Sequence, residues 1–242
     1  MDLLKLLALA LGPIAFIFTY VYLRDRFDRE PLRYLIVTFI CGILIAIPVI
    51  FLGKFLGDVL GVSDTSGSPA DLAIYAFGVV ALSEEGMKYL VLRWYNYPHR
   101  EFNEPYDGIM YGVAVSLGFA AIENVLYVFT SEYGVSTAII RMFTAVPAHA
   151  SFGVMMGFFV GRAKFISGIN PFTERMKGLL TAIFFHGLYD YFLFLGVESL
   201  AIISFIGLGL TIFLARRAIR LHAADSERRN RRSVRNPFFD PD

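Results

Sequence analysis

The chain has 242 residues, of which 56% are hydrophobic and 18% charged, with a formal net charge of +1 and a mean hydropathy of +0.58. An ordinary soluble domain carries about 25% charged residues, so the expected solvent of most of this chain is the lipid bilayer. The single Cys41 excludes a disulfide scaffold and a thiolate-rich zinc site, and about seven spans of about 20 residues leave no room for a separate soluble catalytic domain.

Apolar runs with few charges predict membrane helices over 3–23, 33–53, 71–92, 107–130, 137–161, 178–197 and 199–219. The expected fold is an all-α polytopic bundle of seven passes. The first run has only Lys5 before it and no A-x-A site after it, so it reads as a retained anchor rather than a signal peptide. Residues 1–222 form one expected transmembrane domain. The basic tail over 223–242 has too few apolar residues to pack and is expected to be disordered.

Basic residues fix the expected direction of insertion. Alternate connections and the tail hold Arg24, Arg26, Arg29 and Arg33, then Arg93 and Arg100, then Arg162, Lys164, Arg175 and Lys177, and finally eight arginines from Arg216 onward. The other side has only Lys5, Lys54 and Arg141. By the positive-inside rule this split places the N-terminus outside and the C-terminus in the cytoplasm. The basic residues therefore report topology rather than a nucleic-acid partner, and the tail reads as an anchor near anionic headgroups. The polar stretch Gly61–Asp71 is an outside loop without the character of a site.

Inside the spans sit the ionisable residues Glu84, Glu85, Lys88, Glu123, His149, His186 and Asp190. Each charged group at a helix centre costs roughly 2.5 to 3.5 kcal/mol, so the set represents on the order of 15 kcal/mol before pairing. Such a cost implies a function. With about 1.5 Å of rise per residue, Glu84, His149 and His186 lie near the midplane, and Glu123 and Asp190 within roughly 10 Å of it. Glu84 and Lys88, Phe119 and Glu123, and His186 and Asp190 are spaced i,i+4, which puts each pair on one helix face. Asn124 is the least distinctive candidate. Stripes of small residues, Gly108/Gly112/Ser116 and Gly153/Gly157/Gly161, let two of these helices approach closely. Pro147 loosens the backbone just before His149.

Carboxylates and imidazoles with no Ser or Cys motif point to activation of water. A buried Glu acts as general base and the imidazoles donate to the developing oxyanion. The chain contains no H-E-x-x-H, no Gly-x-Gly-Asp and no Gly-x-Ser-Gly, which excludes the zincin, aspartyl and rhomboid-like patterns. A proton-coupled transporter using the same groups as a relay, or a non-catalytic scaffold, are the readings from other classes.

Ser83-Glu84-Glu85-Gly86-Met87-Lys88, Phe119 to Glu123-Asn124, His149 to Gly153, and His186 to Asp190 resemble the EExxK, FxxxEN, HxxxG and HxxxD motifs of the PrsW family of intramembrane proteases. The segment Arg24 to Pro31 is similar to that family's D...EP loop. The resemblance implies cleavage, on the extracytoplasmic side of a cell membrane, of a single-pass membrane protein such as an anti-sigma factor, in a bacterium or archaeon. The family is in turn similar to the CAAX-prenyl protease superfamily, with motifs EExxxR, FxxxH and HxxxN. By that likeness Glu84 is the water-activating base, Glu85 its tuning partner, and His186 with Asp190 the last motif. Lys88 stands one residue earlier than the Arg, Glu123 where a His is expected, and Asp190 in place of Asn. The expected mechanism is metal-free; if zinc is bound, its expected ligands come from Glu84, Glu123, His149, His186 and Asp190.

Overall fold

The computed structural model describes residues 3–25, 28–65 and 67–235. Arg26 and Phe27 of the loop motif, Ser66 of the polar loop and residues 236–242 of the tail lie outside the described residues. The chain is all-helical: α1 (Leu3–Tyr22), α2 (Leu32–Leu44), α3 (Ala46–Leu60), α4 (Pro69–Ala73), a π-helical segment π1 (Ile74–Ala81), α5 (Leu82–Val91), a second such segment π2 (Leu92–Asn96), α6 (Pro105–Thr130), α7 (Gly134–Phe143), α8 (Ala145–Phe165), α9 (Pro171–Phe194) and α10 (Glu198–Arg235).

Two of the predicted spans are broken, and both breaks have the same cause. Proline lacks an N–H and its ring clashes with the carbonyl four residues earlier. Pro48 releases the carbonyl of Leu44, where α2 ends, and Pro147 releases that of Phe143, where α7 ends. Each helix resumes after one residue, at Ala46 and at Ala145.

Among the described residues, five stretches are long and apolar enough to cross a membrane: Leu3–Tyr22, Leu32–Leu60, Pro105–Thr130, Gly134–Phe165 and Leu200–Arg229. The other two predicted spans correspond to the run from α4 to π2 and to α9. They carry Glu84, Glu85 and Lys88, and His186 and Asp190, which lower their apolar character.

In the most apolar windows of α6 and of α7–α8, 67% is buried, against 17% for α1 and 28% for α2–α3. Helix α6 is therefore the inner rod, and glycine sets its distance from both neighbours. A Cβ on Gly157 would sit 2.1 Å from the carbonyl oxygen of Gly108, and one on Gly112 2.3 Å from that of Gly153. On the opposite face, a Cβ on Gly118 would sit 2.0 Å from the carbonyl oxygen of Phe39 in α2. Backbone meets backbone at both contacts.

Helix α6 begins at Pro105, with a capping box in which Asp107 Oδ2 accepts from the backbone N–H groups of Asn103 and Glu104 at 2.8 and 2.7 Å. Asp25 and Glu30, the acids of the loop motif, are buried beside this start, and Tyr111 donates its hydroxyl to Glu30. Burial pushes Asp25 up to about 6, and Glu30 and Glu104 each up to about 7.

The tail departs from expectation. Residues 223–235 continue α10 instead of being disordered. Ser226 is buried and donates to Glu104 Oε2 at 2.6 Å, and Arg229–Asp225 and Arg231–Glu227 pair at i,i+4 along the helix. One buried hydroxyl docks a segment whose composition alone offers no core.

Candidate active site

The motif residues converge. Segment π1 leads into α5, where Ser83, Glu84, Glu85 and Lys88 are all buried, in keeping with the tendency of π-helical turns to occur at functional sites. Phe77 of π1 seats its ring against Gly187 of α9, where a Cβ would meet that ring at 2.4 Å. The glycine after His186 thus brings α9 against the helix bearing Glu84.

Lys88 is the centre of the cluster. Its Nζ donates to Glu85 Oε1 at 2.7 Å, to Glu84 Oε2 at 3.3 Å and toward His149 Nδ1 at 3.2 Å, above the ring of Phe119. An ammonium has three protons and nothing to accept with, so these partners use all of them. Nδ1 of His149 must then be the acceptor, and the imidazole proton lies on Nε2, which donates to Glu123 Oε2 at 2.8 Å. Both nitrogens of His149 are engaged, so the donor expected there for an oxyanion is already committed to Glu123.

His186 sits across the cluster, its ring centroid 5.3 Å from that of His149 and 5.0 Å from Phe152, on which it stacks. Nδ1 faces Glu85 Oε1 at 2.9 Å, and Nε2 faces Asp190 Oδ2 at 3.2 Å and Glu84 Oε2 at 3.9 Å. Glu85 is fully buried between Lys88 and His186. Glu84 instead lines a cavity of about 460 Å³ together with Glu123, His149, His186 and Asp190. Asn124 does not line the cavity; it is buried, donating to the Ala10 carbonyl of α1 at 3.0 Å and accepting from Arg141 Nε at 2.6 Å.

Two charged cavity residues were missed by the sequence reading. Arg141 of α7, counted there only as a topological charge, has its Nη2 2.9 Å from Glu123 Oε2 and its guanidinium over Tyr127. A lone arginine inside an apolar helix is the signal that marks it. Asp64 of the polar loop lines the same cavity, so that loop borders the site after all; nothing in its composition distinguishes it.

The potential metal-binding group also differs from expectation. Glu84, Glu85, His149 and His186 each offer a ligand atom within 4.8 Å of the others; Glu123 and Asp190 lie outside that group, turned to the far nitrogen of His149 and to His186. The donor types suit zinc. The arrangement does not, because the ammonium of Lys88 is bonded to three of the four and occupies the place of a cation.

Comparison with known proteins supports a peptidase. The family described as PrsW family intramembrane metalloprotease matches residues 30–216. Protease PrsW of Geobacillus kaustophilus (strain HTA426) is 38% identical over 189 residues, covering 78% of this chain and 80% of the relative. Protease PrsW of Bacillus subtilis (strain 168) is 33% identical over 188 residues, covering 78% and 82%, and that of Halalkalibacterium halodurans is 36% identical over 196 residues, covering 79% and 84%. No solved structure shows a significant match. These relatives are proteases and lend no support to a transporter. With its buried carboxylate–imidazole cluster and its membrane-length apolar helices, the chain belongs to the PrsW family of intramembrane proteases.

Proposed function

We propose that the chain is a metal-free, glutamate-type intramembrane endopeptidase that cuts a single-pass membrane protein, of the anti-sigma-factor class implied by the family resemblance, as the first step of a signalling cascade. Its seven passes run from an outside N-terminus to a cytoplasmic C-terminus in the plasma membrane. The charge asymmetry supports this direction, and the cavity's border at Asp64, on the predicted outside loop, supports cleavage on the extracytoplasmic side.

The observation that carries the mechanism is the placement of Glu84 on the cavity wall, 3.3 Å from Lys88 and 3.9 Å from His186. Glu84 takes a proton from a water held beside it, and the water oxygen attacks the carbonyl carbon of the scissile bond. The tetrahedral intermediate collapses as Glu84 returns the proton to the leaving nitrogen and the C–N bond breaks. Glu85, held by Lys88 and His186, fixes the ammonium that orients Glu84. Asp190 orients His186, and Glu123 with Asn124 anchors the outer end of the cluster.

The test is cleavage of a candidate single-pass substrate by the purified protein in liposomes. Glu84→Gln should lower the rate by at least about 1,000-fold while thermal stability is kept, since it removes the base and preserves shape. Retained cleavage would refute Glu84 as the base. Comparing membrane-protein fragments from cells with and without Glu84→Gln then identifies the substrate.

A further inference from the structure

Hydrolysis needs a donor for the negative charge that develops on the carbonyl oxygen, and the residues expected to supply it have little left to give. Lys88 has three protons and three partners. His149 donates from Nε2 to Glu123 and accepts at Nδ1. Both nitrogens of His186 face carboxylate oxygens. Glu84, Glu123, Asp190 and Asp64 bring only acceptors when ionised.

Arg141 is the exception. A guanidinium carries five N–H donors in a fixed fork. Nε spends its proton on Asn124 Oδ1 at 2.6 Å. Nη2 lies 2.9 Å from Glu123 Oε2 as an ion pair, yet it is buried and none of its N–H bonds aligns with an acceptor among the described residues. The group is nonetheless held firmly, by Asn124 on one side, Glu123 on another and the Tyr127 ring 4.2 Å below its carbon. It borders the same cavity as Glu84. A buried, immobilised cation with unspent donors is costly unless something calls for them, and charge-assisted hydrogen bonds are the strong ones.

We propose that Arg141 is a catalytic residue that donates a hydrogen bond to the oxyanion of the tetrahedral intermediate. This rests on the reading that Glu84 activates water in that cavity. Arg141 is thereby preorganised: the contacts that immobilise it are made before substrate enters, so no reorganisation is needed as charge develops. Among the described residues, the other hydroxyls on the wall are those of Tyr75, Tyr127 and Tyr189, the last of them paired with Thr144, and they are uncharged at neutral pH.

The test uses the full-length protein in liposomes with a single-pass substrate and a phosphinic peptide that mimics the tetrahedral intermediate. Arg141→Gln should lower kcat by about 100- to 1,000-fold with KM within about threefold, the loss typical of an oxyanion donor. Affinity for the phosphinic peptide should fall by a similar factor while affinity for uncleaved substrate holds, and added guanidinium should restore part of kcat in Arg141→Gly. Arg141→Lys, which keeps the charge beside Glu123 but not the fork, should also lose at least about tenfold in kcat, and decides the matter if the Gln variant does not fold. Tyr75→Phe and Tyr189→Phe should each keep kcat within about threefold. The proposal is overturned by full kcat in Arg141→Lys, by a loss confined to KM, by unchanged phosphinic-peptide affinity, or by a tyrosine variant that reproduces the loss. Cleavage by Glu84→Gln, measured alongside, would instead overturn the assignment of the base and leaves the Arg141 measurements readable on their own.

Discussion

Nζ of Lys88 lies 3.2 Å from Nδ1 of His149 while also holding Glu84 and Glu85, so one side chain pairs with both acids and fixes the imidazole tautomer. A divalent ion at this position would have to displace the ammonium. Cleavage by the purified enzyme is therefore expected to survive incubation with EDTA or 1,10-phenanthroline, and elemental analysis should find much less than one zinc per chain. Lys88→Met should reverse the second result: with the ammonium gone, the four facing ligand atoms are free and zinc should bind, read by elemental analysis or by a zinc-dependent rise in thermal midpoint.

The contact between α6 and α8 sets the span from Glu123 to His149. Gly157→Ala puts a methyl group 2.1 Å from the Gly108 carbonyl oxygen, and backbone has no rotamer by which to yield. A stability loss of about 1–3 kcal/mol is expected, together with a fall in cleavage as Glu123 and His149 separate. Gly86→Ala, where a Cβ meets nothing within 4 Å, is the matching control for stability. Equal unfolding midpoints for the two variants would disprove the packing argument.

Stability should fall as pH rises through the range 4.5 to 7. Burial raises Glu30 and Glu104 from 4.5 to about 7 in the folded state, so across that window the folded chain holds more protons than the unfolded one, and unfolding becomes easier with each unit of pH. Arg29, Lys164 and Arg229 are the cations around this acidic cluster, and they reduce the effect without abolishing it. Denaturant unfolding in detergent should show greater stability at pH 5 than at pH 7.5. Glu104→Gln should flatten the difference by on the order of 1–2 kcal/mol; an unaltered slope would show that Glu104 does not titrate there.

Removal of residues 223–242 should destabilise the chain rather than leave it unchanged. Glu104 Oε2 then loses the hydroxyl of Ser226 that satisfies it, at a cost of about 1–3 kcal/mol for a buried acceptor without a donor. Ser226→Ala should reproduce most of the loss in a melting experiment. If the truncated chain melts like the full one, the docking of the tail contributes nothing.

What the sequence made legible is what periodicity and cost encode. Glu84, Glu123, His149 and His186 are expensive in lipid and spaced to share faces, and the structure brings them together. The helical stretches follow the apolar runs, and the small-residue stripes mark the α6–α8 contact. A loosened backbone at Pro147 was expected, but neither the break before it nor the one before Pro48 was, though the same missing N–H causes both. Arg141 and Asp64 escaped for a different reason. Their roles depend on which element stands opposite, and a charge shows that a partner is needed without showing which element supplies it. The tail was hidden likewise, because the partner that orders it, Glu104, is 122 residues away from Ser226.

Helix α6 meets α2 and α8 through main-chain stops on its two sides. Misalignment does not accumulate from rod to rod, as both neighbours are referenced to one axis. Lateral squeeze from thicker or stiffer membranes meets main chain at the closest approach of each contact. The spacing between the Glu123 and His149 side chains is thus set within the polypeptide.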